Sequence, residues 1–318
     1  MSLRAIVVGS SGQDGTLLTR LLSERGYEVV GLSRSALSDP AGIWGGGVVD
    51  ITNPQAVVEL LSRTRPNEVY FLAAHHHSSE DNQGDEGILF CASTEIHLMA
   101  LVAFLEAIRR VAPDARLFYA ASSHVFGTPR EAPQDENTPI NPETVYGITK
   151  AAGLFACRRY RKAHHIYASV GILFNHESYL RNARFVSKKI TAGAAGVKRG
   201  IVERIVLGNL DASADWGYAP DYVNAMHRML GLKEAGDFVL ATGRAHTVRE
   251  FAEAAFNYVG LDYRPYVQAD ETLIQRKLPG LVGSPARFMA ASGWKPSLNF
   301  TEMVHTMVQQ ELDAVDGK

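Results

Sequence analysis

The middle of the chain carries side chains whose types and spacing suit proton and hydride chemistry. Tyr146 and Lys150 stand four residues apart, so on a helix they share one face. A phenol ordinarily titrates near ~10, and a lysine ammonium beside it favours the phenolate. Such a tyrosine can take a proton from a hydroxyl as hydride leaves the same carbon. Ser122 and Ser123 close an apolar run, Leu117-Phe118-Tyr119-Ala120-Ala121, and a serine hydroxyl there can orient the reacting oxygen. His124 comes next, and a neutral imidazole, with an ordinary pKa of about 6.5, can accept a proton at neutral pH. A tyrosine and lysine at this spacing are frequent by chance, and the plain alternative is a half-buried aromatic beside a solvated lysine. The glycine turn at the other end of the chain argues against it.

The elements that must position these groups begin with Arg4–Gly15. The apolar run Ala5-Ile6-Val7-Val8 ends in Gly9, and Gly12 and Gly15 follow at three-residue intervals. Leu17, Leu18, Leu21 and Leu22 then repeat with helical spacing. This is strand, glycine turn, helix: a turn without Cβ atoms lets backbone N–H groups approach a pyrophosphate, at a helix N-terminus that favours anions. After the next strand, Glu28–Ser33, the position where an acid would bind ribose hydroxyls holds Arg34. A guanidinium there meets a 2′-phosphate, which favours NADP over NAD. A short strand is expected at 47–49, a helix capped by Thr52 or Asn53 with Pro54 at its first position, and a strand over 68–74. One long helix is expected over about 88–111, with Leu98, Leu101, Leu105 and Ile108 on one side. Asn141 and Pro142 read as the start of the helix that carries Tyr146. The βαβα rhythm as far as Leu173 implies a parallel sheet with helices on both faces. Beyond it, a smaller α/β lobe is expected over the sheet's ligand edge. The triplet His75-His76-His77 invites a metal, but neighbouring residues of extended chain point to opposite faces, and no carboxylate or thiolate stands at ligand spacing. No metal is expected; the triplet is read as the carboxyl end of a strand, where open α/β sheets bind ligands.

The bulk numbers narrow the classes. The chain has 318 residues and a formal charge of −2, so no global field recruits nucleic acid or an anionic membrane. Two cysteines, Cys91 and Cys157, form no metal or disulfide pattern. The N-terminus enters a strand at once and no stretch reads as long enough to span a bilayer, so a cytoplasmic protein is expected.

The chain resembles the extended short-chain dehydrogenase/reductases, and among them the GDP-mannose 4,6-dehydratase family. The resemblance rests on GSSGQDG at Gly9–Gly15, NEVYFLAA at Asn67–Ala74, VYGITK at Val145–Lys150, GILFNHES at Gly171–Ser178 and LGNLDASADWGYAPDYV at Leu207–Val223. It continues through VLATGRAHTVREF at Val239–Phe251 and GWKPSLNF at Gly293–Phe300. It implies a Rossmann-type doubly wound parallel sheet, α/β in class, with a smaller C-terminal α/β substrate lobe. Residues 1–173 with 213–241 would form the NADP-binding domain, and 174–212 with 242–318 the nucleotide-sugar-binding lobe. Ser122, Tyr146 and Lys150 would be the catalytic Ser/Thr, tyrosine and lysine, with Ser123 and His124 beside them. Cofactor contacts are implied at Gly9, Ser11, Gly12, Gln13, Asp14, Gly15, Arg34, Ser35, Asp50, Ile51, Leu72, Ala73, Ala74, Leu173, Asn175 and His176. His77, Asn175, Glu177, Lys189 and Asn209 would serve the nucleotide sugar. The resemblance also implies a homodimer or homotetramer built on a four-helix contact of the helices near 88–111 and 142–164, for which the Leu98/Leu101/Leu105 row could serve.

The departures from the family are informative. The glutamate that the dehydratases carry three residues before the glycine is His124 here. An arginine expected just before Asp215 is Ala214, the second arginine after FNHES is only partly kept as Leu180-Arg181, and the acidic and arginine residues expected ahead of Val282-Gly283-Ser284-Pro285 are missing. The expectation is therefore an NADP-dependent enzyme acting by hydride transfer at C4 of a nucleotide-linked hexose, a GDP-sugar by resemblance, as a 4-keto-sugar reductase or epimerase. Its alternatives are a 4,6-dehydratase with His124 in place of the glutamate, and a non-catalytic nucleotide-binding regulator. A dehydrogenase of a small carbonyl is disfavoured by the C-terminal lobe.

Overall fold

The computed structural model describes residues 2–34, 49–75, 84–273 and 280–316. Ser35, His76, His77 and most of the expected strand at 47–49 lie outside the described residues; Val49 itself is not in a strand. The chain opens with β1 (Arg4–Val8), α1 (Gln13–Glu24) and β2 (Glu28–Leu32). α2 (Pro54–Thr64) starts as its residues dictate: the Asn53 side chain accepts from the N–H groups of Gln55 and Ala56, and Pro54 needs no partner there. β3 is shorter than expected, Glu68–Phe71.

The expected single helix over 88–111 is three segments: α3 (Glu86–Thr94), a π turn (Glu95–Ala100) and α4 (Leu101–Val111). Leu101 and Leu105 are wholly buried in a core shared with α2, α5 and the sheet. Two of the three leucines in the row expected to form a subunit contact therefore pack into the chain's own core, as an amphipathic helix does, while Leu98 is partly exposed. The apolar side chains left exposed in this region are Ile88, Phe90 and Met99, with Ile148 and Phe155 on the neighbouring helix. Contrary to the expectation for membrane spans, the helical run 86–111 is long and apolar enough to cross a bilayer by length and composition; 44% of its most apolar window is buried inside the protein.

β4 (Arg116–Ser122) runs into a 3₁₀ turn, Ser123–Phe126. α5 (Val145–His164) begins later than Asn141 and Pro142 suggest, because Thr144 is its cap and accepts from the Gly147 N–H at 3.0 Å. The Asn141 N–H is spent on the Val125 carbonyl instead. β5 (Ala168–Leu173) and β6 (Asn175–Glu177) follow, then α6 (Val186–Lys198), β7 (Ile205–Leu207), β8 (Ser213–Ala214), β9 (Trp216–Tyr218), α7 (Ala219–Leu230) and β10 (Asp237–Leu240). β11 (His246–Thr247), α8 (Val248–Tyr258), β12 (Val267–Ala269), α9 (Ala286–Ser292) and α10 (Phe300–Asp316) complete the chain. Thr247 and Glu250 form a capping box on α8.

Six strands make one sheet in the order β10-β5-β4-β3-β1-β2, and each neighbouring pair is parallel. Chain order reverses at β1, with β2 on one side and β3 on the other, so the crevice outside the ends of β1 and β3 is the place where an open sheet of this kind binds its ligand. One core cluster fills the face covered by α2, α4 and α5, and a second the face covered by α1, α7 and α9. A third lies between α6, α8 and α10. Three short two-stranded pairings lie outside the main sheet: β6 with β9, β8 with β11, and β7 with β12. The buried Asp215 carboxylate adds a knot, accepting from the N–H groups of Thr242 (2.9 Å), Gly243 (3.0 Å) and Gly283 (3.2 Å) and from the Thr242 hydroxyl (2.6 Å).

Candidate active site

The glycine turn has the shape its residues require. Gly9 sits at φ +94°, where L side chains are strained, and a Cβ on it would come within 3.0 Å of the Ala73 nitrogen across the crevice. A Cβ on Gly15 would meet the Gly9 carbonyl oxygen at 2.2 Å, so α1 can ride this close to the turn only with glycine there. Gly12 is different: a Cβ there would touch only the Gly9 carbonyl, at 3.4 Å. Its outer face is open, and as the N-cap of α1 it offers no side chain to the first-turn N–H groups. A turn stripped of side chains, with amide donors at a helix N-terminus, fits the phosphates of a dinucleotide. Ser11 is exposed beside it. Arg34 is exposed at the end of β2, and Leu72, Ala73 and Ala74 form the half-open end of β3. Asp50 accepts from the Thr52 N–H and hydroxyl, which hold its carboxyl below the usual range, and Ile51 packs inward against the first core cluster.

The proposed chemistry groups converge one strand further on. Ser122 ends β4, and Tyr146 lies in the first turn of α5, where the Ser122 hydroxyl is near enough to favour its phenolate. Lys150, one turn along, is 1% exposed and donates to the Ala120 carbonyl at 2.7 Å, with its ammonium 5.7 Å from the Tyr146 ring centre. Burial pushes the Tyr146 phenol up to about 12, against the lowering effects of Ser122 and Arg181. Burial brings Lys150 down to about 7, against the raising effect of Asp14. Ser123 is buried in the 3₁₀ turn, whereas His124 stays partly exposed, its ring edge-on to Tyr146 at 5.5 Å and its N–H donating to Ser122 Oγ at 3.3 Å.

A third group joins the glycine turn to the segment after β5. Gln13 donates to the His176 carbonyl at 3.0 Å and accepts from the Ser178 hydroxyl at 2.9 Å. His176 donates from Nδ1 to the Phe174 carbonyl at 2.7 Å and places Nε2 2.9 Å from Asp14 Oδ2. Both partners are acceptors, so the ring is an imidazolium. Burial alone would depress it, but Asp14 and the Phe174 carbonyl together raise its pKa; burial raises that of Asp14, and His176, with Gln13 and Arg181, outweighs it and lowers the value. The imidazole stacks on Tyr222 at 4.4 Å.

Leu173 is buried beneath this segment and Asn175 is exposed on it. The Glu177 carboxylate is taken up by Ser187 Oγ at 2.6 Å and by an ion pair with Arg181 at 3.2 Å. Lys189 is half-buried on α6, and Asn209 caps the turn before β8 by accepting from the Asp211 N–H at 2.8 Å. Among the described residues, no group of three or more His, Cys, Asp or Glu side chains could hold a metal ion. Three residues outside the sequence expectations enter the site. Arg181 stacks on Phe185 at 3.8 Å and its charge reaches Asp14, His176 and Tyr146. His97 packs edge-on behind Tyr146, and Asp215 knots the C-terminal loops. For His97 the one sequence signal was a histidine inside an otherwise apolar helical run.

The family model described as GDP-mannose 4,6 dehydratase matches residues 6–307. GDP-mannose 4,6 dehydratase 1 of Arabidopsis thaliana is 35% identical over 97% of this chain and 90% of its own length. The Cricetulus griseus GDP-mannose 4,6 dehydratase is 32% identical over 97% and 91%. Among solved structures, RMD from Pseudomonas aeruginosa complexed with NADPH superposes with a TM-score of 0.83 at 21% identity, covering 98% of this chain and 100% of that one. UDP-glucose 4-epimerase of Thermus thermophilus, complexed with NAD, gives 0.81 at 24% identity over 97% and 99%. The glycine turn, the Ser122–Tyr146–Lys150 constellation and this full-length similarity agree: the chain belongs to the GDP-mannose 4,6-dehydratase family of extended short-chain dehydrogenase/reductases.

Proposed function

We propose that the protein is an NADP-dependent enzyme that transfers hydride at C4 of a GDP-linked hexose, and that its net reaction is reduction or epimerisation of a 4-keto sugar. The observation that carries this reading is the Ser122–Tyr146–Lys150 cluster beside an open glycine turn. The turn from Gly9 to Gly15 would hold the dinucleotide phosphates, Arg34 the 2′-phosphate, and the end of β3 the ring between them; bound there, NADP supplies or accepts the hydride. Tyr146 moves the proton of the C4 oxygen, Ser122 orients that oxygen, and the Lys150 ammonium lowers the cost of the phenolate. Asn175 and Lys189 would meet the sugar-nucleotide phosphates. Reduction needs only this one proton path. Elimination of water from C5 and C6 needs a second base and acid, and His124 is the candidate beside Tyr146.

That position of His124, together with relatives named as dehydratases, supports 4,6-dehydration as the second reading: the imidazole would take the C5 proton and return it to the departing C6 hydroxyl. Incubation with GDP-mannose, and separately with its 4-keto-6-deoxy derivative and NADPH, with products identified by mass spectrometry, separates the two. Conversion of the keto sugar alone supports reduction, an isomeric keto sugar supports epimerisation, and loss of water from GDP-mannose supports dehydration. NADPH binding without any turnover would leave a nucleotide-binding regulator and overturn the enzymatic reading.

The exposed apolar side chains on α3 and α5 support a homodimer, in keeping with the family resemblance. The third core cluster supports a division in which 174–212 and most of 242–318 form the sugar lobe, with 281–294 returning to the sheet through Leu281, Phe288 and Trp294. Free thiols at Cys91 and Cys157, one exposed and one buried, support a reducing, cytoplasmic setting. The formal charge of −2 supports a small-molecule substrate rather than nucleic acid or a membrane surface.

A further inference from the structure

His97 is fully buried, and it lies in the π turn that interrupts the helix between α3 and α4. Wide turns of this kind are frequent at functional sites. Its ring makes a directed pair of hydrogen bonds. Nε2 stands 2.9 Å from the backbone N–H of His75, at the open end of β3, and must accept. Nδ1 therefore carries the proton and donates to Thr149 Oγ1 at 2.8 Å. The Thr149 hydroxyl passes its own hydrogen to the Val145 carbonyl at 2.9 Å, with the Tyr146 carbonyl also in reach at 3.2 Å, so it is free to accept from the ring. The ring is thus a neutral imidazole in a single tautomer. Its edge meets the Tyr146 ring at 5.3 Å and 90°, and His124 holds another side of the same phenol at 5.5 Å and 83°. The backbone joins in: the His97 carbonyl accepts from the Tyr119 hydroxyl at 3.4 Å, which also reaches the Lys150 carbonyl at 3.3 Å.

We propose that His97 is a positioning residue for Tyr146: it fixes the phenol against Ser122 and Lys150, and it couples that placement to the end of β3 on the cofactor side of the crevice. His97 bonds to two elements at once. Through Thr149 it grips α5 between Tyr146 and Lys150. Through the His75 N–H it grips the strand end beside the turn where Gly9 approaches Ala73. The inference rests on the reading of Tyr146 as the proton-transferring group.

The test is a set of substitutions in the intact protein. His97→Leu fills the space without either hydrogen bond. His97→Gln restores an acceptor for the His75 N–H. Thr149→Val removes only the hydroxyl, and Thr149→Ser keeps it. His97→Leu should lower kcat about 10- to 100-fold, as expected for a reacting group displaced by a fraction of an ångström, while KM for the sugar nucleotide changes little. Thr149→Val should lower kcat in the same sense and by less, and the glutamine and serine variants should recover most of the loss.

A second readout needs no substrate. With tyrosines labelled at the phenolic carbon and the Tyr146 signal assigned by its loss in Tyr146→Phe, the Tyr146 titration should move upward in His97→Leu, as contact with Ser122 loosens. Unchanged kcat and an unchanged Tyr146 titration in His97→Leu would overturn the proposal. So would equal losses in the leucine and glutamine variants that follow only the melting temperature. If the wild-type protein turns over none of the keto sugars, the functional reading fails, and the Tyr146 titration still decides the role of His97.

Discussion

The phenol of Tyr146 and the imidazolium of His176 carry the sharpest expectations for single residues. Tyr146→Phe keeps the ring against His97, His124 and Lys150 and removes only the hydroxyl. Turnover should fall about 100- to 10,000-fold, the usual worth of a general acid–base group, with NADPH affinity measured by fluorescence nearly unchanged. A fall in affinity equal to the fall in rate would show that the phenol serves binding alone. His176 predicts a pH dependence. Its folded pKa is raised, so its contribution to stability is complete below its ordinary value of about 6.5 and fades as pH rises through the folded value. The Asp14 value is lowered, so its contribution holds above about 3.8 and fades as pH falls. The pair therefore stabilises most between about pH 4 and 6.5. His176→Phe keeps a ring over Tyr222 and removes both donors; its melting temperature should fall furthest behind wild type near pH 5.5, the gap narrowing towards pH 9. At best the loss is about 1.5–3 kcal/mol, the worth of hydrogen bonds to a charged group. A gap that does not vary with pH would mean that the pair is not ionic. That Tyr146 and Lys150 come together was legible because four residues put them on one helix face, and Ser122 because it closes the apolar run of β4. His97 and Asp14 were not legible in these roles, because each works through a partner 52 or 162 residues away.

At the scale of elements, the start of α2 was legible because Asn53 caps its own helix, with Pro54 at the first position. The start of α5 was misread for a physical reason. Asn141 and Pro142 have the right types, but Thr144, three residues on, has them too, and its hydroxyl is the one that accepts from the helix, at the Gly147 N–H. The π turn is likewise invisible to helical periodicity, since it preserves the apolar run and only widens the hydrogen-bonding. Its consequence appears in Gly153 on α5. A Cβ there would meet the Tyr119 hydroxyl at 2.3 Å and the His97 carbonyl at 2.8 Å. The backbone oxygen cannot move without the π turn moving, so the glycine sets how closely α5 approaches it. Gly153→Ala should destabilise the protein by about 1–3 kcal/mol in denaturant melts, the range for an overpacked core, despite alanine's better helix propensity. It should also slow turnover, because Tyr146 and Lys150 ride on the displaced helix. A variant as stable and as active as wild type would show that the interface absorbs a methyl group and that the spacing of α5 is not critical.

For the whole molecule, the question is what covers the outer side of α3 and α5. Ile148 and Phe155 lie seven residues apart on α5, on one stripe, and are 38% and 50% exposed. Met99 and Ile88, on the π turn and α3, are 58% and 72% exposed. α3 and α5 pack side by side, and these four side chains all stay open to solvent. Scattered apolar residues need no explanation, but a grouped set on two adjacent helices is the usual mark of a protein contact. A two-fold axis beside this surface would set α3 and α5 against the same helices of a second copy, and the apolar set would then be self-complementary. Leu101 and Leu105 are buried in the protomer's own core, so a dimer contact would fall on this surface rather than on the Leu98/Leu101/Leu105 row. Light scattering should therefore give about twice the 34.7 kDa chain mass. Phe155→Glu places a charge in the middle of the stripe, where burial without a partner is costly. It should yield monomers at micromolar concentration while leaving the fold's circular dichroism intact, and a control at Ile201, exposed on another part of the surface, should leave the dimer whole. α5 also carries Tyr146 and Lys150, so dissociation should lower activity along with mass. A wild-type monomer, or a Phe155→Glu variant that remains dimeric, would remove α3 and α5 from the interface.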